Sequence, residues 1–144
     1  MTIVNGADPD LKFSFFLKSV SEVFSFPPGP QRYELYSENF DLMEYGKDNK
    51  VGSLYFVGSF FMNKGNPNAF TGTLDLGELG TIVFLWSIPP NAPVDLETGF
   101  YLPGQTFYFR ILQGSGNFKF IHNGFVVVHT FEGGGRHLYV YFDK

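Results

Sequence analysis

Residues 51–87 read VGSLYFVGSFFMNKGNPNAFTGTLDLGELGTIVFLWS, and this stretch decides the fold. Val51–Met62 alternates without a charge on either face. Val51, Ser53, Tyr55, Val57, Ser59 and Phe61 share one face; Gly52, Leu54, Phe56, Gly58, Phe60 and Met62 share the other. A period of two in β-branched and aromatic residues is the pattern of a strand. Asn63-Lys64-Gly65-Asn66-Pro67 turns the chain into a second strand, Ala69–Leu76. Gly77-Glu78-Leu79-Gly80 is a tight turn into a third, Thr81–Ser87. Strands joined by turns this short are antiparallel neighbours.

The same grammar extends in both directions. Upstream, Lys12–Val20 is an aromatic-rich strand bounded by Asp8-Pro9, and Phe26-Pro27-Pro28-Gly29-Pro30 ends it firmly. Gln31–Ser37 is a short strand. Glu38–Lys50 is polar, contains Gly46 and Asp48-Asn49, and reads as a loop. Downstream, Ile88–Gly99 holds three prolines and reads as a loop, and Gln105–Leu112 is a strand. After the turn Gln113-Gly114-Ser115-Gly116, Asn117–Phe131 reads as one long strand with Gly124 inside it. Glu132-Gly133-Gly134-Gly135 then turns into Arg136–Phe142. Helical periodicity with caps is nearly absent.

About eight strands in meander order predict an antiparallel β-barrel with an apolar central cavity, because eight is the number at which a sheet closes around side chains or one small ligand. A β-sandwich is the alternative, and it would need Greek-key crossovers for which only Ile88–Gly99 is long enough. Gly58 and Gly124, inside long strands, suggest bulges or sharp coiling. Residues 1–144 read as a single domain, with 1–10 a loose N-terminus.

Composition narrows the function. Among 144 residues, 44% are hydrophobic and 19% aromatic, with 19 Phe, 8 Tyr and a single Trp. The net charge is −4 and there is no basic block, so nucleic acid is not an expected partner. Cysteine is absent, which excludes disulfides, thiolate catalysis and Cys-type zinc sites. MTIVNGADPDLKF has no basic segment followed by an apolar one, so no signal peptide is read and a cytoplasmic address is expected. No apolar run approaches the roughly 20 residues that span a bilayer, so no membrane partner is expected. Strand faces that are uncharged on both sides imply burial on both, which predicts a homodimer or homotrimer.

The C-terminal half carries a resemblance. Leu112-Gln113-Gly114-Ser115-Gly116-Asn117-Phe118, followed by Gly124-Phe125-Val126-Val127-Val128, resembles the allene oxide cyclase and dirigent barrels, where a Gly-Gly-Ser/Thr-Gly-x-Phe turn precedes a long glycine-interrupted strand. Tyr33-Glu34-Leu35-Tyr36 is similar to the cyclases' Tyr-Glu-(Ile/Leu)-Asn strand, and Leu76-Gly77-Glu78-Leu79-Gly80 to their Phe-Gly-Asp-Tyr-Gly hairpin. The resemblance implies an oligomeric barrel that folds a flexible substrate toward its reactive geometry and stabilises developing charge with few polar groups. Two departures argue against the same oxylipin reaction: Tyr36 stands where the cyclases have Asn, and the cyclases' cavity cysteine is absent.

The candidate catalytic residues are Glu34, Tyr36 and Arg110. Glu34 sits at the cyclase-matching position; a carboxylate in an apolar barrel holds its proton more tightly, which suits proton transfer or cation stabilisation. The plainer reading is an outward Glu paired with a surface base. Tyr36 shares the face of Glu34 by period two and would donate to a substrate oxygen, or simply pack. Arg110, between Phe109 and Ile111, would pair with Glu34 or a substrate carboxylate; the alternative is an exposed outer-face Arg. Tyr55, Phe84, Trp86, Tyr108 and His122 are candidate substrate contacts and equally candidate core. His122 and His129, seven apart on the expected strand, fall on opposite faces, and three scattered histidines give no metal site. Gly133–Gly135 lacks the helix and Lys of a phosphate loop. The expectation is a cofactor-independent cyclase or isomerase that closes a ring stereoselectively in an apolar biosynthetic intermediate. The alternative is a non-catalytic hydrophobic-ligand barrel or a dirigent-like stereocontrol protein.

Overall fold

The structure is a computed structural model that describes residues 8–16, 21–25, 33–61, 68–88, 103–132 and 135–143. The described residues form nine strands: β1 Leu11–Phe16, β2 Ser21–Ser25, β3 Tyr33–Glu44, β4 Lys50–Phe61, β5 Asn68–Asp75, β6 Thr81–Ile88, β7 Thr106–Gly114, β8 Gly124–Thr130 and β9 Gly135–Phe142. From β3 to β9 each pairs antiparallel with the next, and β9 pairs with β1. Closure comes from β1 meeting β3 at Phe13–Glu44 and Ser14–Met43. β2 pairs with residues 35–39 of the same β3. β1 and β2 thus share one place in the wall, and the barrel is a closed eight-stranded meander.

The interior is set by alternation. Phe13 and Phe15, Phe40 and Leu42, Leu54 and Phe56, Ile82 and Phe84, Phe107, Phe109 and Ile111, Val126 and Val128, and Leu138 and Val140 are all buried, and each set falls in phase on its strand. Phenylalanine rings run across the centre in sequence: Phe15–Phe40 at 5.4 Å, Phe40–Phe56 at 5.9 Å, Phe56–Phe84 at 6.2 Å and Phe84–Phe109 at 6.1 Å between centroids. Such tilted and edge-on pairs add about 0.5–1.5 kcal/mol each beyond the area they bury. Phe84 lies against Gly72, its cross-strand partner: a Cβ there would sit 2.4 Å from the ring. Glycine at this position makes room for the ring. The apolar interior is therefore a packed core across its middle.

Four expectations need correction. Glu38–Lys50 is not a loop until Tyr45, because Phe40 and Leu42 alternate with Asn39 and Asp41 and β3 runs to Glu44. Its polar residues are the outer half of an amphipathic strand, and Asp41 pairs with Lys50 at 3.0 Å. No strand was expected at Ser21–Ser25, where β2 lies; of Lys12–Val20, residues 12–16 are in β1 and residues 17–20 lie outside the described residues. Asn117–Phe131 is not continuous either: Gly116–Phe118 is a 3-10 turn, Ile121 N donates to Phe118 O at 3.1 Å, and β8 begins at Gly124. Phe118 and Ile121 are buried and close the barrel end, which is why this segment leaves the sheet. Finally, the register shifts lie at Leu42/Met43 and Val83/Phe84, not at Gly58 or Gly124. The expected Ile88–Gly99 loop lies outside the described residues beyond Ile88.

Two turns lock the same end. Leu76–Thr81 and Gly114–Phe118 meet where Ser115 N donates to Thr81 O at 2.9 Å and Thr81 N donates to Ser115 Oγ at 3.2 Å. Gly80 has φ of 121° and a Cβ on it would lie 2.2 Å from Ser115 O, so only glycine fits the junction.

Candidate functional site

The opposite end of the barrel differs in chemistry. Among the described residues the buried polar or charged side chains are Thr130 and Arg136, 1% and 4% exposed. Both stand there. They face each other across β8 and β9, and Arg136 also faces Phe15 on β1. Thr130 is in phase with Val126 and Val128, and Arg136 with Leu138 and Val140, so both occupy the interior face. Arg136 Nη1 donates to Gly135 O at 2.8 Å and to Phe131 O at 3.5 Å. Thr130 Oγ1 accepts from Gln105 N at 2.8 Å. Burying a guanidinium in an apolar core is costly, and the carbonyls of Gly135 and Phe131 offset part of that cost.

The register brings further positions to this end. Glu34 is paired with Phe60, and Tyr36 with Gly58 and, on its other side, Phe24. Trp86 is paired with Phe70. Glu34, Tyr36 and Trp86 thus lie along their strands toward the Arg136 end, with their side chains outside the described residues.

The remaining candidates are placed elsewhere. Arg110 is exposed on the outer face, because its strand neighbours Phe109 and Ile111 take the interior phase. It does not share an interior with Glu34. Tyr55 and Tyr108 are outward as well, 38% and 61% exposed. Phe84 is fully buried among Gly72, Phe56 and Phe109. His122 is exposed in the segment before β8, at the end sealed by Phe118, and not on a strand shared with His129. Sequence reading passed over Arg136. The signal was present: in Arg136-His137-Leu138-Tyr139-Val140 the Arg is in phase with Leu and Val.

A second cluster lies outside the wall. His129 and His137 are cross-strand partners, and Phe131 stands against both rings at 4.7 and 4.4 Å. Tyr45 approaches His137 at 4.6 Å, and Tyr139 OH lies 3.2 Å from His137 Nδ1. His129 Nδ1 lies 2.7 Å from Thr106 Oγ1. Burial, then the neighbouring His129, holds the His137 imidazole below its ordinary value of 6.5. Burial and the hydrogen bond with Tyr45 push the Tyr139 phenol up. Among the described residues no three His, Cys, Asp or Glu gather as metal ligands, and no helix is long and apolar enough to cross a membrane.

No protein-family model matches the chain, and no curated protein matches it. A solved structure does: that of a pyocyanin demethylase, 15% identical, superposes with a TM-score of 0.58 over 90% of this chain and 99% of that one. At that identity the likeness is one of fold, and it places this chain among small closed β-barrels.

Proposed function

We propose that the chain binds an apolar small molecule at the Arg136 end of the barrel and directs a cofactor-independent ring closure or isomerisation of it. The observation that carries this reading is the buried guanidinium of Arg136 beside Thr130; among the described residues the other buried side chains are phenylalanine and aliphatic. An apolar wall with a few convergent polar groups is what small-molecule sites have in common. Glu34 and Tyr36, in register with Phe60 and Gly58 on β4, would supply the proton donor or acceptor. The resemblance of Tyr33-Glu34-Leu35-Tyr36 to the cyclase strand supports the same assignment. The pyocyanin demethylase that shares the fold is named for action on a small molecule, which agrees with a ligand-handling barrel.

A second reading is stereocontrol or carriage without catalysis. The phenylalanine-packed middle of the barrel favours it, because it restricts a ligand to one end.

The test uses Trp86, the chain's single tryptophan, whose position at this end makes its fluorescence a local reporter. Titration with 8-anilinonaphthalene-1-sulfonate, an apolar anion, is expected to quench Trp86 saturably by energy transfer. Absence of saturable quenching would remove the ligand reading. For any substrate found, Glu34→Gln is expected to abolish turnover while binding survives; retained turnover takes Glu34 out of the mechanism.

We also propose that the outer wall pairs with a second copy of the chain. Val57, Leu85 and Tyr108 are 60%, 40% and 61% exposed on β4, β6 and β7. Thr71 on β5 joins Val57 to Leu85 in one cross-strand row. Light scattering at micromolar concentration is expected to give a dimer or trimer, and a clean monomer would exclude the pairing.

A further inference from the structure

Two histidines that stand apart in the sequence are set side by side by the register of the last strand pair. His129 on β8 is the cross-strand partner of His137 on β9. Both are half-buried on the outer phase, alternating with buried Val128 and Thr130 on one strand and Arg136 and Leu138 on the other. Directly opposite residues of an antiparallel pair hold their Cβ atoms about 4.5–5.5 Å apart, so two imidazoles can reach one point. Their rings are held in place. Phe131 stands 4.7 Å from the His129 ring and 4.4 Å from the His137 ring, and Tyr45 flanks His137 at 4.6 Å between centroids. Each Nδ1 meets a hydroxyl: Thr106 Oγ1 lies 2.7 Å from that of His129, and Tyr139 OH lies 3.2 Å from that of His137. Tyr139 OH in turn has Tyr45 OH at 3.4 Å. With the hydroxyl oxygens accepting from both Nδ1–H groups, both Nε2 atoms carry a lone pair. Neither Nε2 has a hydrogen-bond partner among the described residues. An Nδ1–H held by an oxygen, with Nε2 open, is the arrangement that orients imidazole as a metal ligand.

We propose that His129 and His137 together bind one divalent transition-metal ion through their Nε2 atoms, on the outside of the barrel wall. Imidazole suits copper, zinc and nickel, and a given set of nitrogen ligands holds Cu(II) most tightly. Among the described residues no third His, Cys, Asp or Glu joins the pair, so solvent completes the coordination. Two neutral ligands leave the ion its full positive charge, and the solvent positions are where an anion from solution would enter. The groups facing the pair from β1 do not oppose a cation there. Ser14, the partner of His137, is uncharged, and Lys12, the partner of Tyr139, lies over the Tyr45 ring at 5.0 Å.

The experiment titrates Cu(II) alone into the full chain at neutral pH and reads electron paramagnetic resonance. The wild type is expected to take up one Cu(II) whose spectrum shows coupling to two imidazole nitrogens. His129→Ala and His137→Ala are each expected to weaken uptake by about 100-fold, because a second ligand on the same molecule acts at high effective concentration. Thr106→Val, which removes the acceptor for His129 Nδ1–H, is expected to weaken it by about 10-fold. His122→Ala, at the sealed end, is expected to change nothing. A wild type without a two-nitrogen copper spectrum overturns the proposal, and so does a spectrum that survives either His129→Ala or His137→Ala. A second measurement needs no variant: Cu(II) is expected to protect His129 and His137 from diethyl pyrocarbonate in the wild type while His122 stays reactive. Either histidine of the pair left unprotected overturns the proposal as well.

Discussion

The two ends of the barrel are built from the same strands and spend their residues differently. At one end, two glycine turns interlock through Ser115 and Thr81, and Leu76, Phe118 and Ile121 fill the opening. At the other, Thr130 and Arg136 occupy interior positions where the pattern permits valine or leucine. The first end gains stability from burial, about 1.5–3 kcal/mol for each large apolar side chain. The second forgoes some of that gain to hold polar groups out of water.

This contrast is open to being broken. The largest effect is expected in the shared core: Phe84→Ala should destabilise by about 3–5 kcal/mol in urea unfolding, because Gly72 leaves nothing to collapse into the space. A loss below about 1 kcal/mol would mean that the phenylalanine layer is loosely packed. Next, Gly80→Ala should cost about 1–3 kcal/mol, since its φ of 121° and the nearby Ser115 carbonyl both oppose a Cβ. If that variant is as stable as wild type, the turn junction does not hold the end closed. Arg136→Lys keeps the charge but loses the planar fork. It should weaken anilinonaphthalenesulfonate binding by about 10-fold, the range of one charge-assisted hydrogen bond, and leave His122 at the sealed end without influence on affinity. Equal effects of Arg136→Lys and His122→Ala would erase the distinction between the ends.

The smallest effect concerns the outer wall. Unfolded, His137 protonates near 6.5; folded, it does so only at lower pH. Between those values the unfolded chain binds the extra proton, so the stability contributed by neutral His137 is present above pH 6.5 and is lost as pH falls through the window. Urea midpoints measured on either side of pH 6.5 should therefore drop on acidification, and His137→Asn should flatten that part of the slope. An unchanged slope would mean that the Tyr45–Phe131–Tyr139 surround leaves His137 as hydrated as in the unfolded chain.

Much of the wall was legible from residues alone. The strands at Val51–Met62, Ala69–Leu76, Thr81–Ser87, Gln105–Leu112 and Arg136–Phe142 stand within a residue or two of their expected bounds. Errors fell where a local signal competed with a distant one. Glu38-Asn39 looked like the start of a loop until Phe40 and Leu42 were claimed by the core. Phe118 looked like a strand residue until it was needed as a plug. At the site, Arg110 was read either as a partner of Glu34 or as an exposed outer-face residue, and it is exposed; Arg136 was missed.

What the residues by themselves determined is the period of two, the glycine and proline turns between runs, and hence a meander of antiparallel strands. Those are local: each rests on the stereochemistry of a few neighbouring peptides. Which of two uncharged faces turns inward, where β1 meets β3, and which arginine ends up inside were decided only by closure of the sheet. Closure couples residues more than a hundred positions apart, as in Leu11 with Val140, and alternation carries no information about its own sign when both faces are apolar.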